Sequence, residues 1–147
     1  MGRIMAVDFG AKTAGVALSD PGKIIASPYE TIVRDREGKI RATYRRLIDI
    51  AASEDVERII VGYPLNMDGT VSERAEKSRA FSEELERRLI MEGLQEVEVE
   101  LWDERLTTFG ADEVLEEAGV AAGERKQYID KIAAALILED WLKNGKK

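Results

Sequence analysis

The first two apolar runs of the chain, Arg3 to Asp8 and Gly15 to Ser19, are joined only by the short turn Phe9-Gly10-Ala11-Lys12-Thr13. A connection that tight suits an antiparallel hairpin. Asp20-Pro21-Gly22 supplies a second turn, and the stretch from Lys23 through Val33 contains a third strand broken up by Pro28. The chain therefore opens as a three-stranded meander.

Beyond it the periodicity changes. From Arg36 to about Ser53, Ile40, Tyr44, Leu47, Ile48 and Ala51 fall on one helical stripe. Arg58 to Gly62 is a short continuous apolar strand of the kind buried on both faces. Ser72 opens a long charged helix, with Ala75, Ala80, Phe81, Leu85 and Leu89 as its predicted core stripe, and Gly93 ends it. Val97 to Asp103 reads as a strand, followed by helices from about Thr108 to Ala118 and from about Asp130 to Leu142. The order βββαβαβα predicts an α/β fold, a five-stranded mixed sheet with helices on both faces. A chain of 147 residues is long enough for one substantial core and too short for two ordinary domains. Residues 1–143 are expected to form a single domain and 144–147 a frayed tail.

Composition narrows the chemistry. With no cysteine and no histidine there is no thiolate nucleophile, no imidazole base, and neither of the commonest zinc ligands. Any metal must be held by oxygen, which favours magnesium or manganese. No uncharged apolar run is long enough to span a bilayer, and Met1 to Asp8 is too short and too soon acidic for a secretory signal. A cytoplasmic protein with no membrane partner is expected. The net charge of −7 opposes a polyanionic partner at long range, but it is unevenly spread. The first fifty residues carry nine basic against six acidic side chains, the remainder thirteen against twenty-three. Arg34, Arg36, Lys39, Arg41, Arg45 and Arg46 form the candidate basic face, although such a run more often marks a solvated helix surface.

Three acidic positions stand out. Asp8 closes an apolar strand beside a glycine-bearing turn, where it can meet a ligand or merely cap the hairpin. Asp130 shares a helical stripe with Ala133, Ala134, Ile137, Leu138 and Trp141, so its carboxylate faces the core and needs a donor, a cation or a metal. An N-cap role for Asp130 is the structural alternative. The small Ala133 and Ala134 would let that helix approach the sheet closely. Asp103-Glu104-Arg105-Leu106-Thr107-Thr108 follows a buried strand, and strand alternation leaves Asp103 and Glu104 equally eligible. A surface Asp103–Arg105 pair, with Thr107 or Thr108 capping a helix, is the plainer reading. Gly62 to Gly69 is a proline-fixed loop with Asn66 near its middle, leading into Arg74 and Lys77.

Four segments together resemble the YqgF/RuvX family of the ribonuclease H-like superfamily: Asp8 to Lys12 with Gly15-Val16-Ala17 and Ser19-Asp20; Gly62 to Gly69; Asp103-Glu104-Arg105 with Thr107-Thr108; and Asp130 with Ala133-Ala134 and Ile137-Leu138. The match spans Ile4 to Leu142. It implies a ribonuclease H-like fold and a metal-dependent nuclease, acting on the 5′ end of precursor small-subunit ribosomal RNA or on Holliday junctions. It further implies catalytic acids at Asp8, Glu104 and Asp130, with Asp8, Asp130 and the Asp103-Glu104 pair as the metal-ligand candidates. Two magnesium or manganese ions are expected. Lys12, Asn66, Arg74, Arg105, Thr107 and Thr108 are the candidates for substrate contact. Many relatives carry arginine after the lysine of the first motif, where this chain has Thr13, and leucine where it has Tyr63.

RNA is favoured over branched DNA as partner, with a pre-ribosomal particle as its setting. A phosphotransferase of the actin and sugar-kinase type shares only the first strands and needs two lobes. A non-catalytic RNA or ribosome-assembly module would keep the fold without the cleavage.

Overall fold

A computed structural model of the chain describes residues 2–103 and 122–145. The first strand, β1 (Arg3–Phe9), is apolar on both sides because it has a helical layer above and below. Met5, Val7 and Phe9 point into one core and Ile4 and Ala6 into another. It pairs antiparallel with β2 (Thr13–Ser19), and β2 pairs antiparallel with β3 (Ala26–Val33). The expected meander is present. Pro28, which cannot donate to a ladder, lies in the edge strand, and the register shifts between Val16 and Ala17 so that Tyr29 is the extra residue of a bulge. The proline is thus absorbed at the edge and β3 continues through it.

Helix α1 (Arg41–Ser53) crosses over to β4 (Val56–Tyr63), which lies parallel to β1. Helix α2 (Glu73–Met91) returns to β5 (Glu98–Asp103), parallel to β4, and α3 (Ala122–Asn144) completes the described chain. The sheet order is β3-β2-β1-β4-β5. α1 and α2 cover one face through Tyr44, Leu47, Ile48, Phe81, Leu85 and Leu89, and α3 covers the other through Ala134, Ile137, Leu138 and Trp141. The five-stranded mixed sheet with helices on both faces is the predicted one.

Several boundaries differ from the sequence reading. α1 begins at Arg41 rather than Arg36, so Arg34, Arg36 and Lys39 precede it and the basic run is not one helical face. Arg45 and Arg46 instead pair with Asp49, Glu92 and Glu30. Ala80 is exposed, and the small Ser78 and Ser82 complete the buried stripe of α2. α3 starts eight residues before Asp130, which removes the N-cap role, since Asp130 sits inside the helix. Asn144, expected in the tail, is the last residue of α3 and donates to Asp140. The helix predicted from about Thr108 to Ala118 lies outside the described residues. Among the described residues, no helix is long and apolar enough to cross a membrane.

Both ends of α2 are closed as its sequence indicates. The Ser72 hydroxyl accepts from the amide of Ala75 at 2.9 Å and donates to the Pro64 carbonyl at 2.7 Å, tying the cap to the loop after β4. At the other end Gly93 takes φ +81° while the amides of Gly93 and Leu94 donate to the carbonyls of Ile90 and Leu89, a Schellman closure. Ser72→Ala is expected to destabilise the fold by about 1–2 kcal/mol in urea unfolding, because it loses both bonds together.

Candidate functional site

The parallel strands β1, β4 and β5 all end at one rim of the sheet, with Asp8 near the end of β1 and Asp103 at the end of β5. Asp8 is the penultimate residue of β1, and alternation puts its side chain on the α3 face, beside those of Ile4 and Ala6. Its neighbours Val7 and Phe9 are buried on the other face, which fixes the backbone at Asp8 from behind. The carboxylate is partly buried.

Directly across the hairpin, Asp8 is paired with Gly15. Gly15 is the point of closest approach between sheet and helix. A Cβ placed there would lie 1.9 Å from the carbonyl oxygen of Asp130, 2.2 Å from its carbonyl carbon and 2.7 Å from the amide nitrogen of Lys131. Only a residue without a side chain lets α3 lie on β2 at that position. Asp130 is therefore seated over the cross-strand partner of Asp8. Ala133 and Ala134, both fully buried, continue the close packing one turn later, as their size predicts.

The far end of α3 is held to the other side of the sheet. Trp102 Nε1 donates to Asp140 at 2.8 Å, and Trp141 Nε1 donates to Glu100 at 3.2 Å. Glu100 also accepts from Arg58 at 2.7 Å. With its backbone at Asp130 resting on Gly15 of β2 and its C-terminal turns hydrogen-bonded to β5, the helix is held to the sheet at two separated points.

β5 runs regularly through Asp103, which is paired with Tyr63. Val99 and Leu101 pack against the α1/α2 core while Trp102 packs against the α3 core. Alternation then assigns Asp103 to the α1/α2 face, opposite Asp8, and it is exposed. Glu104, Arg105, Thr107 and Thr108 lie outside the described residues. Among the described residues, no three acidic side chains form a metal-sized cluster.

The described candidates for substrate contact, Lys12, Asn66 and Arg74, lie in different segments of the chain. Lys12 is exposed in the β1–β2 turn, which closes through the amide of Gly10 bonding the Thr13 carbonyl at 2.7 Å. Asn66 is committed to its own loop, its amide side chain donating to Thr70 Oγ1 at 2.9 Å. Arg74 bonds Glu37 at 3.1 Å and lies 5.6 Å from the centre of the Phe9 ring. Sequence reasoning named two residues without seeing their roles. Gly15 looks like any small residue in an apolar strand, and Arg34 sits in a basic run that reads as surface, yet only 5% of Arg34 is exposed. Its guanidinium lies over Phe9 and donates to the carbonyls of Gly10 and Ala11, bracing the turn that follows Asp8.

Comparison with known proteins gives concordant results. A family model described as RuvX, Holliday junction resolvase, matches residues 2–144. The chain is 50% identical over 145 residues to a protein of Lachnospira eligens named as a pre-16S rRNA nuclease, covering 99% of each. It is 41% identical over 140 residues to a protein of Myxococcus xanthus with the same name, covering 95% of this chain and 87% of the other. Among solved structures, it resembles Thermus thermophilus RuvC in complex with a Holliday junction substrate, with a TM-score of 0.60 at 12% identity, covering 99% and 97% of the two chains. It also resembles the yeast mitochondrial Holliday junction resolvase Ydc2, with a TM-score of 0.55 at 11% identity, covering 97% and 78%. At those identities the likeness is one of fold, that of the RuvC-like ribonuclease H enzymes.

The contact at Gly15 can be tested directly. Gly15→Ala sets a methyl group against backbone atoms that cannot swing aside, so α3 must shift. A loss of about 1–3 kcal/mol is expected in chemical unfolding. Unchanged stability would mean that the helix does not rest on β2 there.

Proposed function

Because the chain belongs to the family described as RuvX, Holliday junction resolvase, we propose that it is a metal-dependent nuclease whose site is built on Asp8 and Asp130. The observation that carries this reading is the seating of Asp130 over Gly15, the cross-strand partner of Asp8. Two carboxylates on one sheet face, with no histidine or cysteine anywhere in the chain, form a hard-oxygen donor set suited to magnesium or manganese.

Glu104 is the proposed third acid. The placement of Asp103 on the opposite face favours Glu104 over its neighbour, because ligands to a common ion must converge on one side of the sheet. When bound, a pair of such ions supplies a water activated at neutral pH and neutralises the charge that develops on the phosphate during hydrolysis. Asp8 and Asp130 would hold the metal firmly, because one belongs to a strand packed on both faces and the other to a helix fastened to the sheet at Gly15 and at its C-terminal turns. Lys12 is exposed on the turn next to Asp8 and is free to meet a phosphate, with Arg74 further along the rim. Arg105, Thr107 and Thr108 are proposed to add contacts from the segment after β5.

Structured RNA is the favoured substrate, and maturation of precursor small-subunit ribosomal RNA in the cytoplasm is the favoured setting. The support is the name shared by relatives 41–50% identical over nearly the whole chain. Residues 1–143 act as one domain in this reading.

The test is cleavage of a structured RNA carrying a precursor 5′ extension, and of a four-way DNA junction, with magnesium or manganese added. Asp8→Asn and Asp130→Asn are each expected to lower the rate about 100-fold or more while leaving thermal stability near that of the parent, since each withdraws a charged oxygen from the metal. Chelation should abolish the activity. Cleavage undiminished by Asp8→Asn would refute the site, and cleavage of the junction alone would move the substrate from RNA to DNA.

A further inference from the structure

On the face of the sheet opposite Asp8, two guanidinium groups meet around Phe9. Phe81 stacks on one side of that ring with centroids 4.1 Å apart, which leaves the other side for Arg34, at 4.8 Å from the ring centre, and Arg74, at 5.6 Å. The two cations are close enough to repel. Burial, and after it the charge of Arg74, lowers the pKa of Arg34.

Their hydrogen-bond inventory is incomplete. One terminal nitrogen of Arg34 serves the carbonyls of Gly10 and Ala11, but Nε and the other terminal nitrogen are buried without an acceptor. Arg74 uses one terminal nitrogen on Glu37 and has Nε and the second terminal nitrogen buried and unmet. Glu37 is already shared with Lys77 at 2.7 Å, and Glu73, 3.8 Å from Lys77, is largely exposed. Four buried donor nitrogens on two like-charged groups are costly to leave without acceptors. A tetrahedral oxyanion satisfies both deficits, since it brings negative charge and several acceptor oxygens, and guanidinium groups bind phosphate oxygens in pairs.

We infer that Arg34 and Arg74, bracketing Phe9, form a phosphate-binding site that grips the nucleic-acid backbone at a phosphodiester next to the one cut. The inference rests on the nuclease reading for the nature of its ligand. Position supports a flanking phosphate. Asp8 and Phe9 are consecutive residues whose side chains leave opposite faces of the sheet, so the Arg34–Arg74 pair and the carboxylates stand on either side of the same rim, with the exposed β1–β2 turn between them. Arg34 also fastens that turn by its carbonyls, so a phosphate held here would fix the turn that carries Lys12.

The arginine Nε–H resonances of metal-free, ¹⁵N-labelled full-length protein report on the site without any cleavage. Inorganic phosphate should shift the Arg34 and Arg74 signals together and saturably, while sodium chloride at matched ionic strength should not. A short structured RNA should produce the same shifts at a concentration at least about tenfold lower, through added contacts along the rim. Arg74→Gln, which spares the bonds bracing the turn, should weaken phosphate binding about tenfold, as expected for loss of a charge-assisted hydrogen bond. Arg34→Lys keeps the charge but loses the fork, and should weaken it as well.

Silent arginines, or equal shifts with chloride, would overturn the site. Shifts with phosphate but none with RNA would overturn its assignment to a nucleic-acid backbone and leave a site for free phosphate. The outcome is separable from that of the nuclease reading. Responsive arginines in a protein that cleaves nothing would reject the nuclease and keep the backbone grip, and silent arginines in an active enzyme would do the reverse.

Discussion

Gly15 lacks a side chain at the point where the backbone of Asp130 comes down on the sheet, and the arrangement of the site depends on that contact. A methyl group there would fall 1.9 Å from the carbonyl oxygen of Asp130. The absence of a side chain lets α3 lie close on β2, and the pairing of Gly15 with Asp8 puts the point of contact at the rim that carries Asp8. Small residues at 133 and 134 extend the close approach, and the Trp102–Asp140 and Trp141–Glu100 bonds prevent the helix from rolling. Such packing positions a carboxylate more firmly than a loop would, because moving Asp130 requires moving a helix held at Gly15 and at its C-terminal turns.

The same rim separates charge by face. Asp8 and Asp130 lie on the α3 side, and the Arg34–Arg74 pair lies on the α1/α2 side, around Phe9, with Glu37 bonded to Arg74. In the proposed site, a chain with a net charge of −7 would accept a polyanion on these terms. Long-range repulsion from the acidic bulk would be met locally, by metal at the carboxylates and by arginine at a flanking phosphate. The hairpin turn between the two faces, braced by Arg34, is the segment both sides share.

Much of this was legible in the sequence because the signals were periodic. The short turn after Phe9 required a hairpin, the Ser72 cap and Gly93 closure marked the ends of α2, and the stripe from Asp130 to Trp141 gave the buried face of α3. Where periodicity carried no information, the reading failed or stayed open. A glycine within an apolar strand gives no sign of what packs against it, so Gly15 was read only as part of a motif and its contact with α3 was not foreseen. Arg34 was grouped with surface cations because composition does not reveal that a guanidinium lies over a ring. The early start of α3 was missed because residues 122–129 lack the apolar stripe that marks its later turns. Ala80 fits the apolar pattern by type, but the helix buries the serines at 78 and 82 instead. Alternation alone left Asp103 and Glu104 equally eligible; β5 continues through Asp103 and puts it on the α1/α2 face, while Glu104 lies outside the described residues.

The most direct test of the account is a crystal structure of the protein grown or soaked with manganese, read by anomalous scattering. The account predicts a manganese peak on the α3 face at the end of β1, ligated by oxygens of both Asp8 and Asp130. Manganese bound elsewhere, or by only one of the two with the other turned away, would contradict it.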